Sequence, residues 1–562
     1  MSALTALVGG LTPAAQTVRL DAAAPRKQAS PVTQTGTLTF AKSSTDGVDS
    51  TVSLGSIGLD AATTKLTANV ALKAGTKYTF SFWFAKNAPT VTLIDSQGKS
   101  TKVNMASGFT AAKSGNYQLV FDAPYSLKTA ANFDNLAINA TALLPTSSGD
   151  KNIDALLMGG TTQWWHPADA APAKGTTSVS PTATGLDGNS SKTALTFGFL
   201  SSQPNGQTMT NFQAMTDAQK NAVRAAFAYY GKLINVTFTE TSGDGAADIN
   251  FGTNNQGSSA GYAYLPNESG TKDKTYMYLA NNQATNSDAG VQQGGYGWMT
   301  VLHEIGHTLG LKHPGNYNAG GGGTPGPYLP AATDARQFTI MSYKDNNASR
   351  GVNATTPMLY DVAALQYLYG ANTSASTASS GKFDFTDGNT YLQTLWSATG
   401  TDTIDLSGLK NSSKVDLNSG AYSSINITGA ATSSSYSGNN NVAIAYAAKI
   451  NNVTLSSTNG VAESVTLNNA FVSGSYDTVG SFDASVDRIA LKKSLFGSLS
   501  TGSIEVGSAA TSKNTRIVVN NATGDIYYDA DGNGKGAAKK IAHYSVIAGG
   551  AALGAGNFSF VA

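Results

Sequence analysis

Apolar and polar residues alternate in short runs toward both ends of the chain and take a helical rhythm only in its middle. Between about residues 36 and 145, the runs Thr37-Leu38-Thr39-Phe40, Tyr78-Thr79-Phe80-Ser81-Phe82-Trp83-Phe84, Val91-Thr92-Leu93-Ile94 and Tyr117-Gln118-Leu119-Val120-Phe121 carry a period of two, separated by turn residues. That pattern predicts half-buried strands and, over about 110 residues, a β-sandwich. Residues 1–35, rich in Ala, Thr, Pro and Gln, have no clear period and read as a leader or linker; residues 146–151 read as a second linker.

From 152 to 372 the two rhythms mix. Thr216 followed by Gln219 has the spacing of a capping box, and Ala222, Val223, Ala226, Phe227, Tyr230 and Leu233 then form a helical stripe. Strand patterns follow at Val236–Phe238, Asp248–Phe251 and Tyr276–Leu279, and further helices are expected over Gly297–Leu309 and Asp361–Tyr369. From 373 to 562 short strands with Ser, Asn and Gly turns return, as at Thr403–Leu406, Val442–Tyr446 and Arg516–Val519, without a strict repeat. The expected architecture is multidomain: an α+β unit between two all-β units.

Composition narrows the picture. A chain of 562 residues exceeds one compact core. Only 13% of residues are charged and the formal net charge is +1, which argues against a polybasic surface for nucleic acid or membrane. There is no cysteine, so disulfides, thiolate nucleophiles and Cys-ligated metal sites are excluded. No apolar run reaches the roughly 18–20 residues of a membrane span. The N-terminal residues lack Lys and Arg before Arg19, so no cleaved secretory signal is read there.

The chemistry is concentrated in residues 303–313, His-Glu-Ile-Gly-His-Thr-Leu-Gly-Leu-Lys-His. His303 and His307 lie one helical turn apart and project from the same face. Glu304 stands beside the first imidazole, placed to take a proton from zinc-bound water. Gly310 can end the helix in a left-handed turn, so that His313 returns as a third ligand. Three nitrogen ligands leave a zinc coordination position open, as catalysis requires and a closed structural site would not allow. Three of the chain's five histidines fall in these eleven residues; His166 and His543 read as ordinary residues. Downstream, Ile340-Met341-Ser342-Tyr343 follows a Gly/Pro-rich loop, and the extended histidine motif followed by a Met-containing turn is the metzincin pattern.

Within the metzincins, residues 152–372 resemble the serralysin family of bacterial secreted metalloproteases. The resemblance rests on Thr300–Tyr317, Arg336–Tyr343, Leu368–Asn372, Ala247–Gly252 and Ala263–Pro266. It implies a metzincin-type catalytic domain that cuts protein or peptide substrates, with Zn2+ on His303, His307 and His313 and Glu304 as general base. It further implies Met341 as the floor beneath the metal and Tyr343 as a movable extra ligand that assists the oxyanion. The strand around Gly261–Pro266, with Ala263, Tyr264 and Leu265, would pair with extended substrate.

The C-terminal region resembles the family's more weakly, through Trp396–Gly408, Ala443–Tyr446 and Tyr527–Gly534. By that resemblance the end of the chain carries an uncleaved signal for export through a type I secretion apparatus. The family's calcium-binding Gly/Asp-rich nonapeptides are missing, so a calcium-poor β-sandwich or degenerate β-roll is expected. Asp529, Asp531 and Asn533 match half of an EF-hand loop, but Lys540 stands where a bidentate Glu is needed; a polar turn is preferred and Ca2+ is left open. Two functions are weighed: a secreted zinc endopeptidase, and a cell-surface adhesin or envelope protein with a protease-like scaffold.

Overall fold

The computed structural model describes residues 16–17, 32–39, 49–59, 65–72, 76–81, 84–86, 89–110, 115–122, 131–142, 148–157, 193–266, 274–319, 323–374, 381–429, 435–458, 460–468 and 475–562. Most of the predicted leader and His166 lie outside them. In the N-terminal region the period-two runs form strands of two sheets. One runs Gln16–Thr17, Asp49–Leu59, Ala131–Ala142, Thr76–Ser81, Phe109–Thr110, with Phe84–Lys86 also paired to Ala131–Ala142; the other runs Val32–Thr39, Lys65–Leu72, Gly115–Asp122, Thr90–Ile94, Ser100–Lys102. In Lys65–Leu72, which was not singled out from sequence, the alternate residues Leu66, Ala68, Val70 and Leu72 are buried.

The middle of the chain is a mixed α/β unit. A short helix, α1 (Lys151–Asp154), opens it and is capped by Asp150. The helix α2 (Asp217–Leu233) begins at the predicted box: Thr216 accepts from the Gln219 backbone, and the Gln219 side chain accepts from the Thr216 backbone. All six residues of the predicted stripe are buried. The helix packs on a five-stranded sheet ordered Val236–Glu240, Thr193–Phe199, Ile249–Asn254, Thr275–Ala280, Gly261–Ala263. The first four strands are parallel and the last is an antiparallel edge. Ile249–Asn254 and Thr275–Ala280 are buried at every residue, because both faces of the sheet are covered there. Two further helices, α3 (Tyr296–Thr308) and α4 (Leu359–Tyr369), complete the unit close to their predicted bounds.

The C-terminal region left two connectivities open, sandwich and roll, and its pairing is that of a roll. Thr403–Gly408, Asn452–Thr454, Asp477–Phe482 and Lys539–Val546 lie side by side in one sheet and run parallel. Lys414–Asp416, Ser464–Thr466, Arg488–Lys492 and Phe558–Val561 do the same in another. Over residues 403–416 and 452–492 the chain alternates between the two sheets, so each pass there forms a coil rather than a hairpin, whereas Ile517–Asn520, Asp525–Tyr528 and Lys539–Val546 pair antiparallel within the first sheet. Ile404, Leu406, Val415, Leu417, Val453, Leu455, Val465 and Leu467 fill the space between them. Buried carboxylates close the corners by accepting backbone N–H groups: Glu463 from Ser456, Asp487 from Glu463 and Asp483, Asp477 from Asn468. The Asp529–Gly536 segment is a polar turn in which Asp531 accepts from the Gly536 backbone, while Lys540 pairs with Asp525 at 2.6 Å. His543 also contacts Asp525. The roll shares one contiguous core with the α/β unit.

Leu467→Ala is expected to destabilise the roll by about 2–5 kcal/mol, because a fully buried leucine leaves a cavity between the sheets. Thr216→Ala, which removes the cap and an exposed hydrogen bond from the same hydroxyl to Asp288, should cost about 1–2 kcal/mol. Urea midpoints of the two variants against the parent test both values.

Candidate metal centre

The α3 sequence, Tyr-Gly-Trp-Met-Thr-Val-Leu-His-Glu-Ile-Gly-His-Thr, is apolar on nearly all sides, and the helix is correspondingly buried. His303 and His307 face the same way, with ring centroids 4.8 Å apart. At the helix end the Leu311 N–H bonds back to the Gly306 carbonyl and the Gly310 N–H to that of His307. Gly310 adopts φ +101°, a conformation costly for a side-chain-bearing residue, and this reversal returns His313 to the helix. The Nε2 atoms of His303 and His307 lie 3.2 and 3.1 Å from that of His313. Among the described residues these three form the one cluster of metal-ligating side chains.

Their tautomers follow from their other contacts. His303 Nδ1 lies 2.7 Å from the Ile340 carbonyl and His307 Nδ1 lies 2.7 Å from that of Leu311. A carbonyl only accepts, so each Nδ1 carries the proton and each Nε2 presents a lone pair inward. The backbone of Tyr317 holds the His313 ring. Burial, reinforced by the neighbouring His307, pushes His303 down to about 3; burial takes His307 to about 4 and His313 lower still. All three are therefore neutral at physiological pH, the state a metal needs. Lone pairs facing one another at about 3 Å repel unless a cation lies between them. The donor set thus fits a divalent ion of the zinc type.

Glu304 is 5% exposed, and burial pushes its carboxyl up to about 8. It borders a cleft of about 330 Å³ whose wall includes Ser258, Gly261, Tyr296, Arg336 and Tyr343. The edge strand Gly261–Ala263 crosses directly over it. A Cβ on Gly261 would sit 3.1 Å from Glu304 Cγ, so the absent side chain is what lets strand and carboxylate approach. Of the expected substrate strand, Ala263 lies in this edge. Tyr264 packs edge-on against Tyr262 and bonds through its N–H to Tyr276, and Leu265 is buried. The cleft wall beside Glu304 is formed earlier, by Ser258–Gly261.

Met341 is fully buried, and its sulfur lies against Gly306 on α3, between the two helical histidines. The turn carrying it is fixed from α4. Asp361 accepts from Thr339 Oγ1 at 2.5 Å and from the backbone N–H groups of Ile340 and Met358 at 2.8 Å. Burial pushes Asp361 up to about 7, against the pull of those bonds. Asp361 therefore reaches His303 through one residue, Ile340, whose N–H bonds to Asp361 and whose carbonyl bonds to the His303 ring. Tyr343 is 39% exposed, with its ring 4.6 Å from that of His313. Burial and the nearby Glu304 charge raise its phenol to about 12. Behind it, Asp334 accepts from Tyr317, Ser342 and Lys344, each at 2.7 Å. Burial alone would raise Asp334; these partners hold it below its ordinary range.

Asp361, Asp334 and Lys312 were not singled out from sequence. A lone carboxylate at the start of the apolar α4 run, and a lysine inside the histidine motif, were the available signals.

The Reprolysin_5 model of metallo-peptidase family M12 matches residues 185–354. The chain is 33% identical over 261 residues to a serralysin of Photorhabdus sp. (strain Az29), covering 42% of this chain and 53% of that protein. It is 35% identical over 266 residues to metallopeptidase AprA of Pseudomonas marginalis (43% and 55%), and 38% identical over 257 residues to serralysin C of Dickeya chrysanthemi (41% and 52%). The chain spans about half the length of the curated relatives it matches. Over this middle region the chain is similar to serralysins, and the matches support a serralysin-like metzincin.

Proposed function

We propose that this protein is a secreted zinc-dependent endopeptidase of protein substrates, with the metal held by His303, His307 and His313. The observation that carries the reading is the convergence of three neutral imidazoles beside a buried carboxylate, under an open sheet edge. Bound there, zinc would supply Lewis acidity toward a peptide carbonyl and toward water.

The chain's own residues do the rest. Glu304, desolvated and raised into the neutral range, takes a proton from the attacking water and passes it to the departing amine. Tyr343, beside His313 and near Glu304, acts as a movable extra ligand whose O–H, with its raised pKa, donates to the oxygen on which negative charge develops. The edge strand offers backbone N–H and C=O groups to an extended substrate, with Ala263, Tyr264 and Leu265 continuing it away from Glu304. Met341 keeps the floor apolar, and Gly310 makes the turn that brings the third imidazole in.

The domain reading assigns 36–145 to an accessory β-sandwich, 152–372 to the catalytic unit and 373–562 to the roll. Its last strand, Phe558–Val561, falls in the segment proposed as the address for type I export. The paired sheets and the serralysin resemblance support this assignment. No helix among the described residues is long and apolar enough to cross a membrane.

Glu304→Gln should retain zinc while casein hydrolysis falls about 10²–10⁴-fold; an unchanged rate would refute the assigned role. A chelator should abolish hydrolysis and lower the thermal midpoint, with zinc restoring both. At a free concentration of about 1,000 Kd the ion contributes about 4 kcal/mol. A thermal midpoint insensitive to chelation would mean that the three rings hold no ion.

A further inference from the structure

Between the second and third imidazoles the chain carries Lys312, a residue type usually solvated, here only 1% exposed. A buried ammonium is costly unless every donor is satisfied. Lys312 has three donors, and three backbone carbonyls meet them: Ala155 at 2.6 Å, Pro327 at 2.9 Å and His313 at 3.2 Å. The Tyr328 ring covers a further side, 5.6 Å from the nitrogen. None of the ion pairs among the described residues involves it. Backbone dipoles and an aromatic face thus form a closed ammonium cage, filled from within.

The three carbonyls belong to three separate segments. Ala155 ends α1, where the chain enters the catalytic unit. Pro327 belongs to the loop beyond the glycine-rich stretch, and His313 is the third imidazole's own residue. The backbone reinforces the junction: the Lys312 N–H bonds to the Leu156 carbonyl at 2.8 Å, and Leu311 pairs with Leu157. The need for such a junction is specific to His313. His303 and His307 take their positions from the α3 ladder. His313 lies beyond the helix end, between Gly310 and Gly315, without helical hydrogen bonds.

We propose that Lys312 is the positioning residue for the third imidazole, an ammonium staple that makes a loop-borne ligand as fixed as two helix-borne ones. The proposal rests on the reading of His313 as a zinc ligand. It also makes the entry segment around Ala155–Leu157 an integral support of the metal centre.

The test uses the full chain with Lys312→Met, which keeps an apolar stem and removes all donors, and Lys312→Gln, which keeps two. Zinc affinity is measured by competition with a chromophoric chelator. The cobalt(II)-loaded proteins are compared by visible absorption, and kcat and KM are measured on one peptide. Lys312→Met should bind zinc about 10–100-fold more weakly, the usual cost of losing a group that orients a ligand. It should also shift the cobalt bands and lose kcat more than KM; Lys312→Gln should recover part of each. A merely structural lysine would lower the melting of metal-free and loaded protein equally and leave zinc affinity and cobalt bands unchanged; that result overturns the proposal. Should Lys312→Met fail to fold, the same comparison is made on Lys312→Gln. If the parent chain binds no zinc, the reading of His313 fails and the proposal falls with it.

Discussion

The structure depends on keeping three uncharged imidazoles, stripped of water, with their lone pairs aimed at one point. Water would solvate and disperse such groups, and protonation would drive them apart. Burial excludes water and keeps the rings neutral, and an imidazole N–H given to a backbone carbonyl on the far side of the ring, at Ile340 for His303 and Leu311 for His307, fixes the direction of each inward lone pair. Each carbonyl must then itself be fixed. Leu311 is fixed by the reversal at Gly310, and Ile340 by Asp361 reaching up from α4. The requirement at three nitrogen atoms thus propagates outward into helix ends, a buried turn and a second helix.

Much of this was legible in the sequence because it is local. The ligand spacing on α3, the cap and stripe of α2, and the turn at Gly310 involve residues within a few positions of one another, where helical geometry leaves little choice. The supports were not legible, because their partners are distant in sequence. Lys312 reads by type as a surface residue until Ala155 and Pro327 are brought to it. Asp361 reads as a helix-start acid until Thr339 and Ile340 are packed beneath it.

The C-terminal roll shows a different limit. Its coils do carry a signature, pairs of apolar residues two apart: Ile404/Leu406 and Val415/Leu417, then Val453/Leu455 and Val465/Leu467. Stretches of unequal length separate these pairs, and two strands of a third sheet, Tyr422–Ser423 and Val442–Ile444, fall between the first coil and the second, so no fixed period emerges. The corners that close each coil use carboxylates such as Glu463 and Asp487 against backbone N–H groups. Single acids at irregular spacing do not stand out in a sequence.

The open edge over Glu304 has one more consequence. An unpaired strand invites any other strand, including one from a second copy of the same chain, and long flat edges of this kind seed aggregation. Here the ladder runs only over Gly261–Ala263, and Pro266, which has no N–H to give, stands just beyond it. Two copies meeting edge to edge would gain a few hydrogen bonds and little else, whereas a peptide lying in the cleft would gain its walls as well. The brevity of the strand keeps the gain from such self-pairing small while leaving the edge free for a peptide.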